Sequence, residues 1–245
     1  MLERAFPLAG QVALVTGASR GIGRATALRL SQAGATLVLA ARTEPSLQEV
    51  AEHIRSFGRE ALVVPTDVAD PRQLEALVTT IQQQFRRLDL LVNNAGGGSP
   101  RTLIHKARPA EWEWTLRVNL WATMTLTQLV LPMMIERRAG AIVNIGSVAG
   151  MTGKAGEAAY AAAKFGVRGF TQALFEEVRD YGIKVALICP GYVDTAMIPP
   201  NRRLEREKML APEDVAEAVY QVATSSPRSC PLEILLQPQH NPFRT

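Results

Sequence analysis

The sequence has few of the residues that form metal sites and disulfide frameworks. Its 245 residues include two cysteines, Cys189 and Cys230, which lack the Cys-x-x-Cys spacing of a zinc knuckle. The three histidines are isolated, and no two of them form the His-x-x-x-His pair of a helical zinc site. We therefore expect neither a disulfide framework nor a bound metal.

The sequence also lacks the long apolar runs and dense charge of membrane and nucleic-acid proteins. The first ten residues contain no apolar leader, and no run approaches the roughly 18 uninterrupted apolar residues of a membrane span. Lysine and arginine total 27 against 23 acidic residues, and Glu205 and Glu207 interrupt the densest basic stretch, residues 202–208. We therefore expect a cytoplasmic protein without membrane or nucleic-acid partners.

What the sequence does contain is a regular alternation of apolar runs and amphipathic stretches. Such alternation predicts an α/β fold, a single Rossmann-type doubly wound parallel sheet with helices on both faces. Pro132 is expected to kink or break one helix, and one domain is expected to span residues 1–245. The predicted strands are residues 11–16, 36–40, 61–65, 88–93, 141–146, 184–189 and 232–236. The predicted helices are residues 22–33, 47–57, 71–85, 110–138, 157–181 and 212–224.

A glycine-rich segment, residues 17–23, directly follows the first strand and opens the first helix. In that context glycines let the backbone approach a pyrophosphate at the helix N-terminus. The end of the second strand, residues 40–43, has no acid before Glu44 that could bind a ribose 2′-hydroxyl. Arg42, aided by Arg20 in the glycine segment, can instead pair with a 2′-phosphate. We therefore expect NADP(H) as the cofactor.

A second group of residues suggests proton transfer. Ser147 follows the fifth strand, at the sheet edge where open α/β folds bind ligands. Tyr160 and Lys164 are four positions apart on one predicted helix, so they share a face. A neighbouring ammonium favours the phenolate and is expected to lower the tyrosine pKa from its ordinary value near 10. This group predicts general acid–base chemistry.

Together these features resemble the short-chain dehydrogenase/reductase family over residues 8–236. The family motif Thr-Gly-x-x-x-Gly-x-Gly matches residues 16–23, and its Asn-Asn-Ala-Gly matches residues 93–96. Its Tyr-x-x-x-Lys matches Tyr160 and Lys164, and its Pro-Gly motif matches residues 190–195. The catalytic residues that the resemblance implies are Asn119, Ser147, Tyr160 and Lys164. The implied cofactor contacts are Gly17, Ser19, Arg20, Gly21, Ile22, Gly23, Arg42, Asp67, Val68, Asn94, Ala95, Gly96, Tyr160, Lys164, Pro190, Gly191, Val193 and Thr195.

The resemblance also implies a role for each of these groups. Tyr160 would be the general acid in carbonyl reduction and the general base in alcohol oxidation, and Lys164 would hold the nicotinamide ribose hydroxyls. Ser147 would bond the substrate oxygen as negative charge develops on it, and Asn119 would support a relay water to Lys164. The adenine ring would contact Asp67 and Val68. The nicotinamide carboxamide would contact Val193 and Thr195.

Resemblances within the family favour two substrate classes. Through its first two-thirds the chain is similar to 3-oxoacyl-[acyl-carrier-protein] reductases, including Arg138 at a carrier-protein docking position. The second docking arginine of those enzymes corresponds to Tyr181, which leaves acyl carrier protein as a possible partner only. The C-terminal residues 230–238 look more like NADP-dependent 3-hydroxy acid dehydrogenases and broad carbonyl reductases. A small carbonyl or alcohol is the expected substrate in both cases.

Residues 196–210 are expected to form a substrate lid without regular structure. Met197 and Ile198 would make apolar contacts there, and Arg202 or Arg203 could meet an anionic group. Relatives are commonly homotetramers or homodimers built through the two long helices, residues 110–138 and 157–181. Other pocket candidates are Val148, Met151 and Tyr192.

Two functions from other classes remain open at this stage. A serine hydrolase would need a Gly-x-Ser-x-Gly elbow, but Ile145 stands where the first glycine belongs. The only histidine after Ser147 is His240, in a polar C-terminal segment. A non-catalytic NADP(H)-binding protein would keep the fold without turnover, although all four catalytic positions are filled here.

Overall fold

A single sheet of seven parallel strands forms the centre of the molecule, in a computed structural model that describes residues 6–98 and 101–243. The strand order is β3-β2-β1-β4-β5-β6-β7, so the chain reverses direction across the sheet between β1 and β4. This arrangement confirms the predicted doubly wound fold. The strands are β1 (Val12–Thr16), β2 (Thr36–Ala41), β3 (Ala61–Pro65), β4 (Leu90–Asn93), β5 (Gly140–Ile145), β6 (Ile183–Pro190) and β7 (Glu233–Leu236).

Among the described residues, seven α-helices lie around this sheet. Alternate residues of each strand face opposite sides: Ala13 and Val15 of β1 pack with α1, α2 and α7, whereas Val12 and Leu14 pack with α3, α5 and α6. Burial on both faces explains why the strands read as nearly continuous apolar runs. The helices are α1 (Gly21–Gln32), α2 (Glu44–Ser56), α3 (Pro71–Phe85), α4 (Pro109–Leu116), α5 (Ala122–Arg137), α6 (Ala158–Val178) and α7 (Pro212–Thr224).

The predicted break at Pro132 is wrong, because α5 continues through this proline to Arg137. Pro132 lies on the exposed face together with Gln128, where water can bond the carbonyl that loses its amide partner. The irregularity lies earlier instead. Arg117–Trp121, between α4 and α5, forms a π-helical segment, a feature found frequently at functional sites.

The stretch Pro109–Arg137 is long and apolar enough to cross a membrane by length and composition alone, with a hydropathy of 1.3. In the structure it behaves as a core helix. Leu126, Val130 and Met134 are each exposed by at most 1% and belong to the apolar core that α3 and α6 share with the sheet.

Candidate active site

The predicted site residues gather at the carboxyl edge of the sheet, where β1, β4 and β5 end. Thr16, the last residue of β1, connects two of these strands through its hydroxyl group. Its Oγ1 donates to Val92 O (3.3 Å) and accepts hydrogen bonds from the amides of Asn94 and Ala95 (3.0 Å each). The predicted segments 17–23 and 93–96 are therefore held together at the point where the strand order reverses.

The glycine segment adopts a conformation that other residues rarely take. Gly17 and Gly21 have φ values of 65° and 53°, in the left-handed region that favours glycine. A Cβ on Gly23 would lie 2.2 Å from Gly17 O and 2.5 Å from Asn94 Nδ2. Backbone geometry therefore requires glycine at all three positions.

The N-terminus of α1 fits a phosphate group. Its first turn reads Gly-Ile-Gly-Arg, without an acid, and its N-cap residue Arg20 makes no side-chain capping bond within the described part of the chain. The partial positive charge of the helix end is therefore not compensated by a carboxylate. Ser19 and Ile22, the other predicted contacts in this loop, are half-buried beside it.

Arg20 and Arg42 are both exposed at this end of the sheet. Among the residues that the structure describes, neither forms an ion pair, so both guanidinium groups remain available to a phosphate. Asp67 follows β3, and its Oδ1 accepts a hydrogen bond from the amide of Ala69 (3.0 Å). This bond fixes the carboxylate beside Val68, which is half-buried.

The Pro-Gly motif after β6 reaches the glycine segment. A Cβ added to Gly21 would lie 3.1 Å from Thr195 Cγ2, so these two segments are in contact. Gly191 donates its amide to Leu236 O (2.8 Å), and Val193 pairs with Leu210 in a β-bridge. The tertiary structure thus brings this predicted cofactor segment, which begins at Pro190, beside the N-terminus of α1.

Ser147, Tyr160 and Lys164 form one contiguous group. Ser147 is close enough to Tyr160 to lower the pKa of its phenol, and Ser147 Oγ accepts a hydrogen bond from the amide of Ala149 (3.1 Å). Lys164 Nζ lies 5.7 Å from the centroid of the Tyr160 ring and donates to Ile145 O (2.9 Å). The spacing of Tyr160 and Lys164 predicted that they share one helix face, and Ser147 was expected at the end of the fifth strand.

The electrostatics of Tyr160 differ from the expectation. Burial raises the pKa of Tyr160 above its ordinary value; Ser147 opposes this rise, and the Glu157 carboxylate adds to it. Lys164 is buried as well, and burial lowers its own pKa to about 8. The expectation that Lys164 lowers the tyrosine pKa is therefore wrong for this structure, because its amine is directed to Ile145 O.

Asn119 lies in the π-helical segment and is 2% exposed. Its Oδ1 accepts from the amide of Gly97 (3.2 Å), while its Nδ2 donates to Gly97 O (2.9 Å) and Thr115 O (3.0 Å). A Cβ on Gly96 would lie 2.8 Å from Asn119 Oδ1. The side chain thus fixes the loop after β4 against the irregular helix, and the expected support of a relay water stays a prediction.

Sequence reasoning missed a buried chain of polar side chains behind the site. Asn93 Nδ2 donates to Thr127 Oγ1 (3.1 Å) and Asn144 Oδ1 (2.9 Å), and Asn144 Nδ2 donates to Thr171 Oγ1 (2.9 Å). The chain links β4 and β5 to α5 and α6. In the sequence, this chain is indicated only by one asparagine near the end of each of two otherwise apolar strands.

The predicted lid has more structure than expected. Residues 206–208 form a 3₁₀ turn, and Leu204 pairs with Phe243 in a β-bridge. Arg206 holds the segment by donating to Asp194 and to Ile198 O. Met197 is 51% exposed.

Two of the other pocket candidates pack on neighbouring side chains. Met151 packs on Val167, Leu187 and Cys189, and the Tyr192 ring meets Phe243 edge-on at 5.2 Å.

Comparison with known proteins agrees with this geometry. A family profile described as short chain dehydrogenase matches residues 11–206. The chain is 38% identical over 227 residues to a 3-oxoacyl-[acyl-carrier-protein] reductase of Synechocystis sp., covering 89% of this chain and 90% of the relative. It is 37% identical over 226 residues to 3-oxoacyl-[acyl-carrier-protein] reductase FabG of Vibrio cholerae, covering 89% and 91%.

A solved structure also matches nearly the whole fold. It is a metagenomic short-chain oxidoreductase in complex with NADP, with a TM-score of 0.84 and 37% identity, and the match covers 96% of this chain and 99% of that one. The chain is thus an oxidoreductase of the Rossmann type. It belongs to the short-chain dehydrogenase/reductase family, which confirms the resemblance read from the sequence motifs.

Proposed function

We propose that this chain is an NADP(H)-dependent reductase of 3-oxoacyl thioesters, with cofactor binding and catalysis in one domain. The observation that carries the proposal is the pair of Tyr160 and Ser147 beside Lys164, whose Nζ lies 5.7 Å from the centroid of the Tyr160 ring. The pair lies at the same sheet edge as the glycine segment, with Lys164 buried one helical turn from Tyr160. A carbonyl placed at this pair would meet one proton donor and one further hydrogen-bond donor.

The residues divide the work of carbonyl reduction between them. The bound nicotinamide cofactor supplies the hydride. Tyr160 donates its phenolic proton to the carbonyl oxygen as this oxygen becomes an alkoxide, and Ser147 donates a hydrogen bond to the same atom. Lys164 would bind the ribose hydroxyls of the nicotinamide cofactor. Asn119 acts as a positioning residue, since its amide group is bonded to the backbone of Gly97 and Thr115.

The preference for NADP(H) is assigned to Arg42, with Arg20 in support. The relative solved with NADP favours the same cofactor. We expect Arg42→Ala to weaken NADPH binding about 10- to 100-fold, since a charge-assisted hydrogen bond contributes about 1.5–3 kcal/mol. Binding of NADH, which lacks the 2′-phosphate, should change little. Titrating both cofactors by fluorescence measures this, with the exposed Arg228→Ala as control, and equal losses for both would refute the assignment.

The assignment of a thioester substrate rests on the two 3-oxoacyl reductases reported above. Use of a carrier protein is less well supported by the chain itself. Arg138 Nη2 donates to Asp180 O (2.5 Å), and its guanidinium lies 5.5 Å from the Tyr181 ring centroid. Arg138, at the docking position, thus already contacts Tyr181, the residue that stands where the relatives have their second docking arginine.

A substrate panel with NADPH tests the proposal by the loss of cofactor absorbance. The panel contains acetoacetyl thioesters of coenzyme A and acyl carrier protein, diketones and aromatic aldehydes, with 3-hydroxy acids and NADP⁺ in the reverse direction. We expect the highest kcat/KM with an acetoacetyl thioester. Preference for free 3-hydroxy acids would favour the alternative function, a 3-hydroxy acid dehydrogenase or broad carbonyl reductase. The C-terminal residues 230–238 resemble those enzymes. No turnover with any compound would leave a non-catalytic NADP(H)-binding protein.

We expect carbonyl reduction to slow as the pH rises above about 8, because Lys164, whose pKa is lowered to about 8 by burial, then loses its charge. The raised pKa of Tyr160 keeps the phenol protonated in this range, so the decline belongs to Lys164. The pH profile of kcat/KM measures it, since this ratio reports groups of the free enzyme. Lys106→Gln, which alters an exposed lysine, should leave the profile unchanged. A profile flat to about pH 10, near the ordinary lysine value, would contradict this origin.

We further propose a homodimer or homotetramer built through α4, α5 and α6. These helices and the π-helical segment between α4 and α5 carry large apolar side chains that the single chain leaves uncovered: Trp121 is 60% exposed, Phe165 44% and Trp114 43%. Exposed apolar surface of this kind supports association between copies.

A further inference from the structure

The loop after β4 is joined to the start of the helix that carries Tyr160. Arg101, in that loop, directs both Nε (2.7 Å) and Nη2 (2.5 Å) to Glu157 Oε1. Glu157 is the N-cap residue of α6. Next to this ion pair, the amide of Thr102 donates to Gly156 O (2.9 Å). Two adjacent contacts thus attach the loop to the helix start.

The Glu157 carboxylate is poorly solvated although the pair lies near the surface. Its side chain is 18% exposed, whereas that of Arg101 is 61% exposed. A carboxylate in this position is weakly screened by water, so its charge acts on neighbouring groups. Tyr160 lies one helical turn further along the same face, and the Glu157 carboxylate raises the pKa of Tyr160.

Ser147 opposes this carboxylate by lowering the pKa of Tyr160, but no charged group among the described residues does so. Ser147 approaches from the end of β5 and is uncharged, and the Lys164 amine is bonded to Ile145 O. Lys154, in the loop before α6, lies 5.4 Å from the ring of Tyr192. Among the described residues, Glu157 is the one charged group that shifts the pKa of Tyr160.

We propose that Arg101 is a positioning residue for Tyr160: by holding Glu157 in an ion pair, it neutralises the carboxylate one helical turn before the catalytic phenol. The role of Tyr160 as proton donor rests on the proposed function. Arg101 thereby joins the loop after β4 to the first turn of the helix that carries Tyr160.

A double-mutant cycle tests this coupling. Arg101→Gln leaves the carboxylate unpaired and should raise the pKa of Tyr160 by about 0.5–1 unit. Glu157→Gln should lower this pKa by a similar amount. The double variant should match Glu157→Gln alone, because Arg101 acts only through the carboxylate. Arg101→Lys, which keeps the positive charge, should reverse at least half of the pKa shift that Arg101→Gln causes.

Two measurements report the shift independently. The first is the ultraviolet titration of tyrosinate, with the spectrum of Tyr160→Phe subtracted to remove the other three of the four tyrosines. The second is the pH profile of alcohol oxidation, which requires the phenolate. Arg108→Gln is the matched control, because it breaks another exposed ion pair in the same region, with Glu111, and should shift neither reading.

The cycle also separates failure of this inference from failure of the proposed function. Equal shifts from Arg101→Gln with and without Glu157 would overturn the inference, as would the absence of a tyrosinate shift in a folded Arg101→Gln protein. A tyrosinate shift in a protein that turns over no carbonyl substrate would support the coupling while refuting the proposed reductase activity.

Discussion

Tyr160→Phe should lower the rate of carbonyl reduction by about 10²- to 10⁴-fold, the usual contribution of a positioned general acid. The substitution removes the phenolic hydroxyl and keeps the aromatic ring. Lys164 should keep its bond to Ile145 O, since that contact does not involve the phenol. We therefore expect NADPH to bind with nearly unchanged affinity while turnover is lost.

Steady-state kinetics and NADPH titration on the same preparation measure this separation of binding from turnover. Tyr181→Phe is the matched control, because it removes a hydroxyl from a partly exposed tyrosine in the turn after α6. Its kinetics should equal those of the wild-type protein. Retention of more than a tenth of the activity by Tyr160→Phe would transfer the proton-donor role to another group.

Gly23→Ala should abolish measurable NADPH binding and destabilise the fold. The added methyl group would meet Gly17 O at 2.2 Å and Asn94 Nδ2 at 2.5 Å, distances at which the backbone itself must move. Overpacking of this kind costs about 1–3 kcal/mol. Because Gly17 opens the segment that we propose binds the pyrophosphate, its displacement also disturbs the N-terminus of α1, where this group would lie.

Gly169→Ala provides the comparison for this substitution. Gly169 lies in α6, and among the described residues no heavy atom outside its own stretch of helix comes within 4 Å of a Cβ built there. Alanine should therefore stabilise the helix by about 0.5–1 kcal/mol. Chemical denaturation and NADPH titration of both variants measure the contrast. Normal cofactor affinity in Gly23→Ala would show that the glycine segment is not the phosphate site.

Features encoded by local spacing were predictable from the sequence. These features are the alternation of strands and helices, the three glycines of the segment after β1, and the four-residue spacing of Tyr160 and Lys164. Each depends on residues that are close together in the sequence. Ser147 was predictable as well, since the end of a parallel strand fixes where the next residue lies.

Features that join distant segments were not predictable in this way. Asn93 and Asn144 look like isolated polar residues until the strand register pairs them. Arg101 and Glu157 are 56 positions apart, so their ion pair depends on how the loop after β4 meets α6. The helix continues through Pro132 because solvent at this exposed position can compensate for the lost hydrogen bond. The irregularity is instead the π-helical segment Arg117–Trp121.

The sequence alone determined the fold, the family and the residues grouped at the sheet edge, because hydrophobic period and short motifs are local properties of the chain. Only the tertiary structure decided the electrostatics of that group. Burial raises the pKa of Tyr160 and lowers that of Lys164. The two shifts have opposite directions because desolvation disfavours the charged form, which is the phenolate of tyrosine and the ammonium of lysine. The degree of burial depends on all the elements packed around a side chain, and spacing along one helix does not record it.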